Sequence, residues 1–478
     1  MPLQKNQVLT LRVERLSSDG SGVAHSPDGE TVFIPGAAPG DEARVRIVKD
    51  CKRYAFGILD EVLTPSPDRI PVDCAVAGPC GGCSLRHLDY AAELRAKQEN
   101  VADAFARIGG LDVPVLPIVG SPEVNRYRNK VQFPVGVDKS GKPCIGFYAG
   151  RTHRIVPCPD CRLQPGVLNE IGNALCAFFA EKGIQPYSEE TGRGLVRHIF
   201  LRRGAHSGQI MVCLVCTRAK LPSAEELCTR LKAQFAEITT ILLNVNAKNT
   251  NVILGTETHT LYGQGYIEDT LCGVPVQLGP LSFYQVNTLA AEQLYGIAAQ
   301  YAQLTPDDLL LDLYCGMGTI GLSMAAHCRE LIGVEIVPEA IESAKANAAR
   351  MGADVAAKSR FFCADAGQAA TRLAAEGLHP DIVMLDPPRK GCDEATLSAV
   401  VRMSPRRVVY VSCNPATAAR DAAWLEQNGY HAEKVQPVDL FPRTRHVEAV
   451  LLLTKLNVER HIEVDVSMDE LDVTAAES

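Results

Sequence analysis

The feature that most constrains the fold of this chain is a regular alternation of apolar runs and helical segments from about residue 305 onward. Continuous apolar runs such as LLLDLYC, LIGVEIV and DIVMLDPP are typical of strands that are buried on both faces. A chain that repeats strand, turn and helix forms a parallel sheet with helices on both faces. The sequence therefore predicts a C-terminal, doubly wound, Rossmann-like α/β domain over residues 271–456.

Residues 1–62 have a different pattern, in which short β-rich runs are separated by turn sequences. Runs such as QVLTLRVERL, TVFIPG and ARVRIV alternate or are rich in β-branched residues, and the turns contain Asp–Gly and Pro–Gly pairs. Several short strands in so short a segment predict a small OB-like β-barrel, a fold that often binds RNA. Residues 63–270 mix helix and strand signals, which indicates an α+β central domain.

The overall composition is that of a globular protein, with 46% hydrophobic and 22% charged residues. Because we find neither a run of about 18 apolar residues nor a signal peptide, we expect a cytoplasmic protein that does not contact a membrane. Seventeen cysteines in a reducing compartment indicate packing, metal binding or catalysis more than disulfides. The net charge of −8 lies mostly in residues 457–478, a predicted acidic disordered tail, so the nearly neutral body can carry a basic face.

Candidate cofactor-binding residues follow the predicted strands of the C-terminal domain. Tyr314 and the glycine loop GMGTIG follow the first strand, and Glu335, Asp365 and Asp386 end the next three. Ligands of open α/β sheets bind at the carboxyl ends of the strands, where an acidic residue can accept hydrogen bonds from ribose hydroxyls. The glycine loop alone would also suit a nicotinamide cofactor. The DPPR turn that begins at Asp386 instead favours S-adenosylmethionine-dependent methyl transfer to a nucleic-acid base.

A candidate nucleophile and a candidate base occupy the last two strands. Cys413 ends one apolar strand, in SCNP, and Glu448 begins the next. A glutamate that enters an apolar strand is partly desolvated, which raises its pKa and suits a general base. Addition of a thiolate at C6 of uracil makes C5 nucleophilic enough to attack a sulfonium methyl, after which a base must remove the C5 proton. The target base must leave its stack to reach such a site.

These motifs resemble those of the RNA uracil-5-methyltransferases. The resemblance spans roughly residues 5–455 and rests on SFYQVN, DLYCGMGT, DPPRKG, SCNP and FPRTRHVE. It is greatest for the 23S ribosomal RNA (uracil-5-)-methyltransferases that carry a TRAM barrel and a 4Fe–4S cluster. The resemblance implies that Cys413 is the nucleophile and Glu448 the base. It also implies that S-adenosylmethionine contacts Gln285, Tyr314, Glu335, Asp365 and Asp386.

The same resemblance implies that an iron–sulfur cluster is held by Cys74, Cys80, Cys83 and Cys161. Cys158 lies three residues before Cys161, in CPDC, and is an alternative fourth ligand. Four thiolates also suit tetrahedral zinc, and the cysteine spacing alone does not distinguish zinc from iron–sulfur. A cluster in this family would be structural or would shape the RNA-binding surface, because the methyl transfer needs no electron transfer.

The expected partner is RNA, with 23S ribosomal RNA favoured because the barrel and the cluster accompany that specificity within the family. A transfer RNA uracil-5-methyltransferase with the same mechanism is the first alternative. The second is a non-catalytic iron–sulfur RNA-binding protein, which would have no need of both Cys413 and Glu448. Residues 126–130 and 197–203 interleave basic and aromatic side chains, which predicts RNA contacts in the central domain. We expect a monomer that does not bind DNA.

Overall fold

The computed structural model describes residues 3–150 and 152–456, so the predicted acidic tail at 457–478 lies outside the described residues. Within those two ranges, no helix is both long enough and apolar enough to cross a membrane. The described chain forms a closed barrel, two seven-stranded sheets and a separate hairpin.

The first five strands are β1 (Val8–Leu16), β2 (Ser21–His25), β3 (Thr31–Pro35), β4 (Glu42–Asp50) and β5 (Tyr54–Thr64). They close into a barrel in the order β1-β2-β3-β5-β4, which confirms the predicted N-terminal barrel. Alternating side chains fill its interior, where Val32, Ile34, Val45 and Ile47 are completely buried. The barrel therefore has a hydrophobic core of its own.

The middle of the chain forms a mixed sheet on which two helices, α3 (Gly166–Glu181) and α4 (Ala224–Gln234), are packed. In chain order, the elements of this part are α1 (Ala77–Cys80), α2 (Tyr90–Asp103), β6 (Lys130–Val137), β7 (Pro143–Tyr148), β8 (Ile155–Pro157), α3, β9 (Val196–Arg203), β10 (Ile210–Cys216), α4, β11 (Ile238–Val245) and β12 (Glu257–Tyr262). The strand order is β12-β11-β10-β9-β6-β7-β8. Apolar residues of α3 and α4 cover one face of this sheet and form a second hydrophobic core.

The C-terminal elements are β13 (Ile267–Leu271), β14 (Val274–Leu278), α5 (Thr288–Ala302), β15 (Leu309–Leu313), α6 (Thr319–Met324), β16 (Glu330–Glu335), α7 (Pro338–Arg350), α8 (Ala353–Lys358), β17 (Ser359–Cys363), α9 (Ala366–Ala375), β18 (Ile382–Leu385), α10 (Glu394–Met403), β19 (Arg407–Ser412), α11 (Pro415–Gln427), β20 (Tyr430–Val438) and β21 (Glu448–Lys455). The sheet order is β17-β16-β15-β18-β19-β21-β20, with a hydrophobic core on each face. This confirms the doubly wound architecture.

One strand departs from the predicted parallel sheet. β21 is inserted between β19 and β20 and runs antiparallel to both. A continuous apolar run shows that a strand is buried on both faces but contains no information about its direction. The inserted strand brings its first residue, Glu448, to the edge of the sheet where the parallel strands end.

The long helical segment that begins at Tyr90 changes type along its length. The Asp89 side chain accepts a hydrogen bond from the N–H of Ala92 at 2.6 Å and caps α2, which continues directly as a π-helix over Ala104–Gly109. Val101, Ala104 and Phe105 pack into one core of the C-terminal sheet. The helix therefore joins the middle of the chain to the sheet that contains Cys413.

Candidate active site

The predicted cofactor-binding edge lies where the strand order reverses, between β15 and β18. Tyr314, Gly316 and Gly318 in the turn after β15 all have positive φ, at 67°, 55° and 80°. The Glu335 carboxylate, at the end of β16, accepts hydrogen bonds from the N–H groups of Gly316 at 3.1 Å, Ile336 at 2.9 Å and Val337 at 3.0 Å. This carboxylate therefore fixes the glycine turn in a left-handed conformation that opens toward the strand ends.

The three other predicted cofactor residues border the same edge. Asp365 follows β17 and caps α9 by accepting from the N–H of Gln368 at 3.1 Å. Asp386 follows β18, and burial raises the pKa of its carboxyl group to about 7. The backbone carbonyl of Gln285 accepts a hydrogen bond from Asn129 Nδ2 at 2.7 Å, which ties the SFYQVN loop to β6. Phe283 in this loop is 71% exposed, although the sequence pattern did not distinguish it from a core aromatic residue.

Sequence reasoning missed Asp312, a buried acid beneath the glycine turn. One of its carboxylate oxygens accepts from the N–H of Gly321 at 3.0 Å, and the other has no partner among the described residues. Burial raises the pKa of Asp312 to about 8, and the nearby Asp386 and Glu335 charges add to that rise. The one feature of the sequence that could have indicated a role for Asp312 is the presence of an acidic residue inside the apolar run LLLDLYC.

Cys413 and Glu448 come together because β19 and β21 are hydrogen-bonded neighbours. Ser412 pairs with Ala449 in this antiparallel ladder, so the register places Cys413 opposite Glu448 at the edge of the sheet. Burial raises the pKa of the Cys413 thiol, and Glu448 and Asp386 raise it further, whereas the Arg389 guanidinium acts in the opposite direction. Burial likewise raises the pKa of Glu448 to about 8, with a further contribution from Asp386.

A cavity of about 590 Å³ opens above Cys413. Its walls come from five parts of the chain: the end of β1 with its turn, the junction of α2 with the π-helix, the loop after β18, the start of α11, and the loop before Glu448. Four arginines line it, namely Arg15, Arg107, Arg389 and Arg445. The two acids in the lining are Asp19 and Asp103, and Asp103 is already paired with Arg15 at 3.2 Å and Arg107 at 3.4 Å. The cavity is therefore electropositive and suited to a polyanion.

A second cavity, of about 220 Å³, is lined by five cysteines: Cys74, Cys80, Cys83, Cys158 and Cys161. Within the described ranges, no group of three or more acidic, histidine or cysteine side chains adopts an arrangement that would hold a metal ion. The topology nevertheless brings both predicted cysteine segments to one place. Cys158 and Cys161 lie within hydrogen-bond distance of each other, and this interaction lowers the pKa of the acceptor thiol, Cys161, and raises that of the donor, Cys158.

Arginine side chains surround the cysteine cavity and leave donors unused. Arg86 is 3% exposed and donates through Nη1 to Asp73 at 2.7 Å and Asn125 at 3.0 Å. Its Nε and Nη2, and the Nε of Arg128, have no oxygen or nitrogen acceptor in the described structure. Burial raises the pKa of the Cys83 thiol, and the Arg86 guanidinium beside it acts in the opposite direction. Buried guanidinium donors without an acceptor are costly. The cavity is therefore electrostatically suited to an anionic occupant.

Within the predicted RNA-contacting run at residues 197–203, the prediction is wrong for Arg197 and Arg202, because the structure buries both side chains. Arg197 is 5% exposed and donates to the carbonyls of Asn246 at 3.0 Å and Lys248 at 2.6 Å. Arg202 is 1% exposed and donates to the carbonyls of Gly279 at 2.8 Å and Ser282 at 2.7 Å. Both arginines hold loops in place instead of facing solvent.

Comparisons with known proteins agree with this geometry. Residues 206–456 match the family model described as tRNA (Uracil-5-)-methyltransferase, and residues 2–59 match the TRAM domain. The chain is 43% identical to an uncharacterized RNA methyltransferase of Halalkalibacterium halodurans, over 95% of this chain and 99% of that protein. It is 41% identical to one of Oceanobacillus iheyensis, over 95% and 98% respectively.

A solved structure extends the similarity to the whole fold. The tRNA (uracil-54, C5)-methyltransferase of Pyrococcus abyssi, in complex with S-adenosyl-L-homocysteine, is 27% identical with a TM-score of 0.74. The match covers 93% of this chain and 100% of that one. The family model alone spans more than half of the sequence. The chain therefore belongs to the tRNA (uracil-5-)-methyltransferase family of S-adenosylmethionine-dependent RNA methyltransferases and carries an N-terminal TRAM domain.

Proposed function

We propose that this protein methylates C5 of a specific uridine in RNA, with Cys413 as the nucleophile and Glu448 as the base. The observation that carries the proposal is the pairing of β19 with β21, which sets the two residues opposite each other. They lie beside the strand ends that would hold S-adenosylmethionine, next to Asp386. A protein that only binds RNA would gain nothing from a cysteine and a desolvated acid in this arrangement.

The proposed reaction has three steps: addition of the thiolate, transfer of the methyl group, and elimination of the thiolate. The Cys413 thiolate adds to C6 of the uracil, and the electron pair of the C5–C6 bond moves to give an enolate. C5 then forms a bond to the sulfonium methyl of S-adenosylmethionine, whose C–S bond breaks to release S-adenosylhomocysteine. Glu448 finally removes the C5 proton, the C5=C6 bond re-forms, and the thiolate leaves. Arg389, which opposes the rise in the pKa of both groups, favours the ionised forms that the first and last steps need.

Gln285, Tyr314, Glu335, Asp365 and Asp386 are the residues that we propose for cofactor contact. The proposal is supported by where these residues lie. Four of them follow or end β15, β16, β17 and β18, and Gln285 lies in the SFYQVN loop. Glu335 is suited to ribose hydroxyls because it ends the second strand of the domain, next to the glycine turn. Asp386 lies between this edge and the Cys413–Glu448 pair, where it can orient the methionine end or the uracil edge.

We propose 23S ribosomal RNA as the substrate, supported by the joint presence of the barrel and the cysteine cavity. Transfer RNA is a second candidate because of one specific observation. The Pyrococcus abyssi structure, whose title names a tRNA uridine, matches over 93% of this chain. A match of that extent includes the barrel region, so the barrel by itself does not decide between the two substrates. We also propose that the protein acts as a monomer in the cytoplasm.

The test is transfer of labelled methyl from S-adenosylmethionine to unmodified 23S ribosomal RNA and unmodified transfer RNA, side by side. Wild type and Cys413→Ala are compared, and the labelled nucleotide is mapped. Label in ribosomal RNA that is lost in Cys413→Ala is the expected result. Label only in transfer RNA would overturn the substrate proposal and retain the mechanism. RNA containing 5-fluorouridine should trap a covalent adduct with wild type but not with Cys413→Ala, because fluorine cannot leave as a proton.

We also propose that the cysteine cavity holds a 4Fe–4S cluster through Cys74, Cys80, Cys83 and Cys161. The donor set is of the right chemical kind, because five sulfurs line one cavity beside buried guanidinium groups, but the described side chains are not arranged as they would be around a bound metal ion. We propose Cys161 over Cys158 as the fourth ligand because its motif, CRLQ, resembles the one that carries this ligand in the family. The cluster would supply a fixed point for the surrounding loops, with no part in methyl transfer. Iron and acid-labile sulfide in anaerobically purified protein would support it, whereas stoichiometric zinc would overturn it.

We propose three functional units, at residues 1–62, 63–270 and 271–456, with RNA contacting the first two. Support for the barrel comes from an aromatic cluster on its outer surface, in which Phe33, Tyr54 and Phe56 have ring centroids 5.6–5.8 Å apart. Lys49 is the cross-strand neighbour of Phe56. Aromatic side chains beside basic ones are suited to stacking with single-stranded RNA bases.

A further inference from the structure

The loop that leads to Glu448 is anchored by a buried group of charged side chains, and we propose that this group positions the base for C5 deprotonation. We call it the Lys97 cluster, and it consists of Lys97, Glu93 and Asp439. The inference rests on the proposed function, because it assigns a role in the last step of that reaction. The loop spans residues 439–447, between β20 and β21.

Lys97 lies at the centre of the cluster, on α2. Its Nζ donates to Glu93 Oε1 at 2.7 Å, to Asp439 Oδ1 at 2.8 Å and to the carbonyl of Phe441 at 3.1 Å. All three charged residues are completely buried. Buried charges lose much of their hydration, so a buried group of this kind contributes little net stability to the fold. The three hydrogen bonds donated by Lys97 Nζ instead fix the start of the loop in one orientation relative to α2.

Further hydrogen bonds fix the middle of the loop. The backbone N–H of Arg443 donates to Glu93 Oε1 at 2.7 Å. The side-chain Nη1 of Arg443 donates to the carbonyl of Leu88 at 2.8 Å. The N–H of Leu85 donates to the carbonyl of Arg443 at 3.1 Å. Arg443 has a φ of 68°, an unusual conformation for an arginine that these contacts hold. Tyr90 donates to Asp439 Oδ2 at 2.9 Å. The loop shape is therefore determined largely by α2 and the segment before it.

The loop connects the cluster directly to the base. Glu448 pairs with Val438 across β20 and β21, and Asp439 is the next residue after Val438. Arg445, His446 and Val447, at the other end of the loop, line the cavity above Cys413. Cys413 itself follows β19 and touches no member of the cluster through a hydrogen bond or ion pair among the described residues. A shift of the loop should therefore move the base and leave the nucleophile in place.

This asymmetry gives a kinetic signature that a general loss of stability would not produce. If Glu448 is misplaced, Cys413 still attacks C6 and the methyl group is still transferred, but the C5 proton is removed slowly. The methylated covalent protein–RNA adduct should then accumulate during turnover. A misplacement of about 1 Å can slow a step by about a hundredfold.

The experiment compares Lys97→Met with wild type, using the full chain, S-adenosylmethionine and the RNA that is methylated by wild type. We expect turnover to fall by about tenfold to a hundredfold. The adduct on denaturing gels should rise at least about tenfold, toward the level of Glu448→Gln. Trapping on 5-fluorouridine RNA should stay within about twofold of wild type, because it depends on Cys413. Arg95→Met is the matched control on the same helix, since Arg95 pairs with Asp68 at the surface, and it should behave as wild type.

A second variant keeps the inference open to refutation if Lys97→Met does not fold. Asp439→Asn removes one buried charge with little change of shape and should show the same adduct accumulation. Unchanged turnover in both variants would overturn the inference. Turnover and 5-fluorouridine trapping that fall together would also overturn it, because they would indicate a purely structural role. A wild-type protein that traps no adduct would instead refute the proposed function, so the two failures are distinguishable.

Discussion

Replacement of Glu448 by glutamine should stabilise the protein at alkaline pH while it abolishes turnover. The Glu448 side chain is 6% exposed, and its pKa rises from an ordinary 4.5 to about 8. Below pH 4.5 the carboxyl group is protonated in both the folded and the unfolded chain. Between pH 4.5 and 8 the unfolded chain loses this proton and the folded chain keeps it, so the free energy of unfolding falls as pH rises.

The size of the effect follows from that interval. At 1.36 kcal/mol per pH unit it corresponds to an upper bound of about 5 kcal/mol. Since the site relaxes around a carboxylate, we expect about 3 kcal/mol, lost entirely above pH 8. Glutamine cannot ionise. For the unfolding transition of the C-terminal unit at residues 271–456, Glu448→Gln should therefore raise Tm at pH 9 by about 6–12 °C and at pH 5 by less than about 2 °C.

The assay is differential scanning calorimetry of wild type and Glu448→Gln at both pH values, without cofactor or RNA. Glu342→Gln is the matched control, because Glu342 is 72% exposed, and its Tm should follow wild type within about 2 °C. A Glu448→Gln protein that is equally stabilised at both pH values, or destabilised at pH 9, would refute the conclusion that Glu448 is held in a desolvated site.

Three further predictions concern the reaction, the cluster and RNA binding. Glu448, whose pKa is about 8, and the Cys413 thiol, whose pKa burial raises above its usual value, must both ionise. We therefore expect kcat/KM for tritium release from [5-³H]uridine RNA to increase through pH 8 and to continue rising above it, and a flat profile below pH 8 would contradict the assigned roles. Cys161→Ser should lose iron and sulfide while Cys158→Ser, at the other sulfur of the same cavity wall, retains them; the opposite result would make Cys158 the ligand. Arg107→Ala should weaken RNA binding and lower the salt slope of log Kd by about 1, while Arg372→Ala on the surface of α9 should change neither; an equal loss in both would refute the cavity as the RNA-binding site.

The C-terminal sheet and its ligand edge were predictable because their signals are local. Each strand end is marked by an acid or a glycine turn, and the rule that ligands bind at carboxyl strand ends needs only the strand order. The sequence therefore predicts that Glu335 and Asp386 share one edge of the sheet, where β16 and β18 end in the structure. Pattern reasoning did not supply the direction of β21, since direction depends on neighbours that the run VEAVLLL does not specify.

Other features depended on contacts that are distant in the sequence. Lys97 looks like a solvent-facing residue of a polar helix, and its burial is determined by Asp439, 342 residues away. Arg197 and Arg202 resemble an RNA-binding run, yet backbone carbonyls accept their hydrogen bonds. The cavity above Cys413 is closed by the turn after β1, near the opposite end of the chain. Periodicity and composition contain no information about such long-range pairs.

The ladder between β19 and β21 also determines how the proposed methylation activity could be lost in evolution. Side chains alternate along a strand, so one residue inserted or deleted near the start of β21 would turn the carboxyl group at that position to the other face. The strand is apolar and buried on both faces, so such a chain could still fold. A lineage could thus keep both Cys413 and Glu448 and yet become an RNA chaperone or binding factor. The length of this strand would then be a better record of lost catalysis than the identity of the two residues.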